Sequence, residues 1–108
     1  MKWQKVAAVS DFIDTDLCEV AVGNDLVLLV RRGADVHAVA GLCTHAFARL
    51  SGGRVDADGH LNCPRHLARF SLEDGRCLSG WAVPPLKRYA VRIDGDDILL
   101  TNPLTSLA

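Results

Sequence analysis

Short apolar runs rich in valine, isoleucine and leucine recur along the chain, cut at close intervals by glycine, asparagine and aspartate. Trp3 to Val9, Leu17 to Val22, Leu26 to Arg32 and Val36 to Ala40 read as strands, because such residues fit a pleated, half-buried surface. Gly23-Asn24-Asp25 and Gly33-Ala34-Asp35 supply the turns between them. A helical period persists nowhere, and the only helical expectation is a single turn within Asp11 to Asp16. From Gly41 the texture changes to two loop-like stretches. They are separated by Leu50-Ser51-Gly52-Gly53, a strand-like piece around Val55 and a hairpin turn at Asp58-Gly59. Phe70 to Leu72 and Arg76 to Leu78 flank Glu73-Asp74-Gly75 as a further hairpin, and Leu86 to Ile93 and Ile98 to Thr101 flank Asp94 to Asp97 as the last. Many short strands with frequent turns predict an all-β, antiparallel sandwich or barrel.

Size narrows this to one domain spanning residues 1–108. Thirteen acidic and twelve basic side chains nearly cancel, which excludes the bulk field that draws proteins to nucleic acid or anionic membranes. The longest strongly apolar run, Leu26 to Val30, is far too short to span a bilayer. Met1 to Lys5 leads into a strand-like segment and not into a signal-peptide core, so a cytoplasmic protein is expected.

Candidate chemistry lies in the two loop-like stretches. Cys43-Thr44-His45 is answered, after seventeen intervening residues, by Cys63-Pro64-Arg65-His66. Two cysteines beside histidines favour metal over a disulfide framework. Cys18 and Cys77 are left over and are expected to be small buried hydrophobes. A Cys₂His₂ set can also hold structural zinc, but zinc sites of that composition usually begin C-x₂₋₄-C and end H-x₃₋₅-H, whereas each half here mixes the two types.

A C-x-H pair followed by a C-x-x-H pair is the ligand pattern of a Rieske [2Fe–2S] centre, and the chain resembles a Rieske ferredoxin. The resemblance runs on through Pro64, Phe70, Gly80 to Leu86, Tyr89 to Ile93 and Ile98 to Leu100. It implies a Rieske-type fold with a small cluster-binding subdomain made of two ligand loops and a covering proline loop. It also implies one [2Fe–2S] cluster, with Cys43 and Cys63 on one iron and His45 and His66 on the other. Imidazoles in place of two thiolates raise the potential and direct the electron to the histidine side. Their outer N–H groups imply a potential that falls as pH rises through the oxidised-state histidine pKa values.

Several positions depart from the wider family. The extra cysteine pair of the high-potential members is replaced by Ala48 and Arg65, so that disulfide cannot form. Their serine and tyrosine hydroxyl donors are replaced by Ala68 and Phe70, which places the expected potential near the low end of the range, about −150 mV. Phe47, Leu67 and Trp81 stand where many members have glycine or proline, leaving loop conformation open. Gly52, Gly53 and Gly80 read equally well as turn glycines or as residues needed for close packing.

A Rieske domain alone moves one electron, and the expected catalytic set is therefore empty. The resemblance implies a free-standing, monomeric carrier from a flavin-dependent reductase to the terminal oxygenase of an aromatic ring-hydroxylating dioxygenase. The alternatives are a small Rieske subunit of an assimilatory nitrite reductase, or a zinc-stabilised interaction module. His37 and His60 are expected outside the site, one facing solvent on a strand and one at a turn edge. Arg49, Arg54, Arg65, Arg69 and Arg76 lie in the cluster region, while Asp11, Asp14, Asp16, Glu19 and Asp25 crowd an N-terminal stretch. The arginines suggest either a basic docking ring or merely a solvated face.

Overall fold

The computed structural model describes residues 2–44, 48–65, 68–79 and 83–107. Among these residues ten strands make three antiparallel sheets: β1 (Lys2–Ala8), β10 (Asp97–Asn102) and β9 (Val91–Asp94) in one; β2 (Leu17–Val22), β3 (Asp25–Arg32), β4 (Asp35–Ala40) and β8 (Arg88–Tyr89) in the second; β5 (Arg54–Val55), β6 (Leu61–Asn62) and β7 (Arg69–Phe70) in the third. No α-helix occurs among the described residues, and none of their helices is long and apolar enough to cross a membrane.

Strand β3 explains its own uninterrupted apolar run. Val27, Leu28, Leu29 and Val30 are all fully buried, because successive side chains enter opposite cores. Val27 and Leu29 join Phe12, Val22, Ala38, Ile98 and Leu100 in the basal core, while Leu28 and Val30 join Leu50, Leu61, Phe70, Leu72 and Leu86 beneath the two loops. The strand is a wall shared by the scaffold and the site it carries.

Three expectations change. The helical turn lies at Val9–Asp11, ahead of the 11–16 segment, with the Asp11 carboxylate accepting the Ala8 N–H at 2.9 Å and Asp96 accepting both the N–H and the hydroxyl of Ser10. The stretch from Leu86 to Ile93 is two strands, because β8 pairs with β4 while β9 pairs with β10 in the other sheet. At the crossing, Ala90 donates its N–H to the Thr105 carbonyl at 2.9 Å, so the C-terminal segment satisfies backbone that neither sheet reaches. The hairpin around Glu73-Asp74-Gly75 closes through an isolated Phe70–Cys77 bridge and not through a full ladder.

Candidate metal centre

The two loops are built alike. Cys43 donates its N–H to the carbonyl of Ala48 and Cys63 to that of Ala68, each at 2.8 Å. One pair outward, Leu42 bridges Arg49, and Asn62 pairs with Arg69. Each loop therefore leaves and re-enters through a two-stranded stem that brings its cysteine inward. Cys43 and Cys63 are buried in one apolar cluster with Leu50, Leu61, Ala68, Phe70 and Leu86, and neither forms a disulfide. His45 and His66 lie outside the described residues, as do Phe47, Leu67, Gly80 and Trp81.

Two buried thiols in apolar surroundings, delivered by matched loops, fit the sulfur half of a [2Fe–2S] site, since soft thiolate donors suit iron–sulfur clusters. Ala68 and Phe70 are fully buried beside Cys63 in this core and bring no hydroxyl there.

The covering loop is tied at three places. At its start, Leu78 donates its N–H to the Arg69 carbonyl at 2.7 Å, and the Ser79 hydroxyl accepts the Arg69 N–H at 2.8 Å. In its middle, the Thr44 hydroxyl donates to the Pro84 carbonyl at 2.7 Å. At its end, Leu86 donates its N–H to the Gly75 carbonyl at 2.8 Å. Close approach, and not only turn geometry, requires two glycines here. A Cβ on Gly53 would lie 1.9 Å from the Asn62 carbonyl oxygen, and one on Gly75 would lie 2.2 Å from that of Leu86. Gly52 has no such need, since its Cβ would meet only the Pro64 ring at 3.6 Å.

The two charged groups of the sequence meet in the fold at Arg49 and Glu19. Arg49 forks onto Glu19 of β2, with Nε 3.1 Å from Oε2, and Ser51 donates to the same carboxylate at 3.0 Å. These donors, Arg49 foremost, hold the Glu19 carboxyl below its ordinary range. Arg69 pairs with Asp56 at 3.1 Å, Arg31 with Asp16 at 3.1 Å, and Arg76 more loosely with Asp74 at 3.7 Å. Arg54 and Arg65 are exposed and make no ion pair among the described residues.

His37 does not face solvent as expected, whereas His60 does stand at the edge of the 58–59 turn. Both are half-buried, and both line a cleft of about 480 Å³ that no described residue of either ligand loop borders. Burial pushes the His37 imidazole below its ordinary pKa, outweighing the opposite pull of Asp35. Cys18 and Cys77 are only partly buried, packed at the edges of the two cores.

The brace of Asp56 on Arg69 was not anticipated from the sequence. The sequence signals only the likeness of the two loops, since Cys43 and Cys63 each stand five residues before an Ala-Arg pair, Ala48-Arg49 and Ala68-Arg69.

Comparison with known proteins agrees with this architecture. The ferredoxin component of the naphthalene 1,2-dioxygenase system of Pseudomonas putida is 32% identical over 101 residues, 93% of this chain and 95% of its own. The ferredoxin of carbazole 1,9a-dioxygenase from Nocardioides aromaticivorans IC177 superposes with a TM-score of 0.83 at 30% identity, covering 97% of this chain and 98% of the other. A ferredoxin-type match, in a structure described as a complex of reduced oxygenase and oxidised ferredoxin in carbazole 1,9a-dioxygenase, has a TM-score of 0.78 at 31% identity over 90% of both chains. A putative small subunit of NADPH nitrite reductase shares the fold at 24% identity and a TM-score of 0.77 over both full lengths. Residues 2–90 match the Rieske [2Fe-2S] domain, which sets the zinc alternative aside, and the chain belongs to that family.

Proposed function

We propose that residues 1–108 act as one Rieske domain in which Cys43, His45, Cys63 and His66 hold a single [2Fe–2S] cluster. In this reading the protein carries electrons in the cytoplasm from a flavin-dependent reductase to the terminal oxygenase of an aromatic ring-hydroxylating dioxygenase. The observation that carries the ligand assignment is the matched pair of loops, each closed by the same cysteine-to-alanine backbone bond, with both thiols in one apolar core. The pathway rests on relatives at 30% identity or more being ferredoxin components of dioxygenases. That supports the shuttle over the nitrite reductase subunit.

When bound, such a cluster supplies reversible one-electron chemistry, with the imidazole side as the point of transfer. The chain's own residues do the rest. Thr44 holds the covering loop against the first ligand loop, and Leu86 and Phe70 wall the thiols off from water. Around the loops, Leu42, Pro64, Arg65, Pro84 and Pro85 are exposed, a small and mostly apolar rim suited to brief contact with a partner.

Anaerobically purified protein should take up one electron per chain, be reduced by a flavin reductase with NADH, and be reoxidised by an excess of a ring-hydroxylating oxygenase. Cys43→Ser, His45→Ala, Cys63→Ser and His66→Ala should each abolish the Rieske signal. A fully loaded cluster with unaltered spectrum in either alanine variant would refute the ligand set, and stable co-purification with a large nitrite reductase subunit would refute the pathway.

A further inference from the structure

Asp56, Asp58 and His60 bring their ligand atoms within 4.8 Å of one another, a grouping that would suit a cation. The cation they hold is a guanidinium. Arg69 places Nε 3.1 Å from Asp56 Oδ2, one terminal nitrogen 2.8 Å from His60 Nδ1, and the same nitrogen 3.6 Å from Asp58 Oδ2. Arginine has no acceptor, so Nδ1 of His60 must be the accepting nitrogen, and the ring carries its proton on Nε2.

Asp56 is the hub of this arrangement. Its Oδ1 accepts the N–H groups of Asp58 and His60 at 3.0 and 3.1 Å, and its Oδ2 accepts the Asn62 amide at 2.9 Å besides Arg69. Together these donors, the Asn62 amide foremost, hold the carboxyl far below the ordinary aspartate range. Asn62 and Arg69 are the paired residues at the base of the second loop, one step outside the Cys63 to Ala68 closure. Arg69 also carries, on its backbone, both bonds that start the covering loop.

Arg49 occupies the equivalent place on the first loop, but its carboxylate partner, Glu19, belongs to β2 of the basal scaffold. The two arginines therefore do different work. Arg49 fastens the first loop to the scaffold, whereas Arg69 is held by the β5–β6 turn that leads into the stem of the second loop.

We propose that Arg69 is a positioning residue for the cluster: clamped between Asp56 and His60, it fixes the stem of the loop that carries Cys63 and His66, and with it the start of the covering loop. The proposal rests on the ligand set proposed above. Planar, forked donation is what the clamp needs, and lysine cannot reproduce it. Groups that bond a metal ligand directly alter metal affinity by about 10-fold to 100-fold when removed, and Arg69, which acts one step away through the stem of the loop, should act at the low end of that range.

The test uses reduced holoprotein, with three readouts: electron paramagnetic resonance g-values, midpoint potential and the rate of iron release to a chelator. Arg69→Met should shift the g-values and potential and speed iron release by about tenfold. Arg69→Lys should restore little of this. His60→Leu should shift the same readouts in the same direction but less, and His60→Asn, whose side-chain oxygen can accept in place of Nδ1, should return them toward wild type. Arg54→Met, on the neighbouring strand β5, should change none. Wild-type g-values, potential and iron release in both Arg69→Met and His60→Leu would overturn the proposal. Should Arg69→Met not accumulate, a His60→Leu protein indistinguishable from His60→Asn overturns it equally. A wild-type protein lacking the Rieske signal altogether would instead refute the ligand set.

Discussion

Gly75→Ala is the sharpest test of how the covering loop is held. Gly75 is buried at φ +78°, donates its N–H to the Ser71 carbonyl and accepts the Leu86 N–H, both at 2.8 Å. Alanine there incurs about 1 kcal/mol for the left-handed backbone. Its Cβ would also sit 2.2 Å from the Leu86 carbonyl oxygen, a backbone atom that can yield only if the Leu86 segment moves. Movement weakens the Leu86 to Gly75 bond, worth about 1 kcal/mol, and lifts Leu86 partly from the core it shares with Cys43 and Cys63, at about 1 kcal/mol more. The total is about 3 kcal/mol. Gly95→Ala provides the control, because Gly95 has φ +61° with nothing within 4 Å of the added Cβ, and so should show the backbone cost alone. At about 4 °C per kcal/mol, the thermal midpoint should fall by about 12 °C for Gly75→Ala and about 4 °C for Gly95→Ala. Both must be measured as holoprotein at matched iron loading and scan rate, since metal-bound proteins do not unfold as simple two-state systems. Equal falls in the two variants would refute the collision with Leu86. So would unchanged iron release in Gly75→Ala, because the reasoning requires the covering loop to shift.

Thr44→Val removes the hydroxyl that holds Pro84 and should cost about 1 kcal/mol while speeding iron release; an unchanged release rate would show that the other two ties suffice. Glu19→Gln tests the brace of the first loop through pH. Because Arg49 and Ser51 hold the folded-state pKa of Glu19 below its unfolded value, their contribution is present above the ordinary glutamate pKa and is lost as pH falls through the folded one. The wild type should therefore exceed Glu19→Gln in thermal midpoint at neutral pH, with the gap closing on acidification, and a pH-independent gap would contradict the assignment. Arg65→Glu should slow reduction of the oxygenase at low salt and lose its effect at high salt, as stopped-flow kinetics would show.

The scaffold was legible where local pattern and tertiary outcome coincide. Leu17 to Val22 is bounded as the alternation implied, and the two glycine turns after it close hairpins at the expected residues. The run from Leu86 to Ile93 misled because pattern reports burial and strand preference, not which sheet a strand joins; the break at Ala90 exists only because two sheets and the C-terminal segment meet there. Likewise, His37 sits in an alternation that reads as solvent-facing, and what half-buries it is the cleft formed with the turn at 58–60 and the 71–78 hairpin, far along the chain.

In the candidate site, the placing of Cys43 and Cys63 in two matched loops was readable because their spacing is local, whereas the pairing of the arginines was not. Along the sequence, Arg49 and Arg69 look like members of one basic ring, since nothing local records that Glu19 lies thirty residues before the first and Asp56 thirteen before the second. Pairing changes what those charges can do. A guanidinium already forked onto a carboxylate contributes little net field to an approaching partner, and much to holding its own backbone in place. Arg54 and Arg65, exposed and without ion pairs among the described residues, are then the arginines of the five best able to steer docking, and Arg65 lies within the second ligand loop itself. Steering and positioning thus fall to different arginines of the same group, so Arg65→Glu should alter salt-dependent association without moving the g-values, while Arg69→Met should do the reverse.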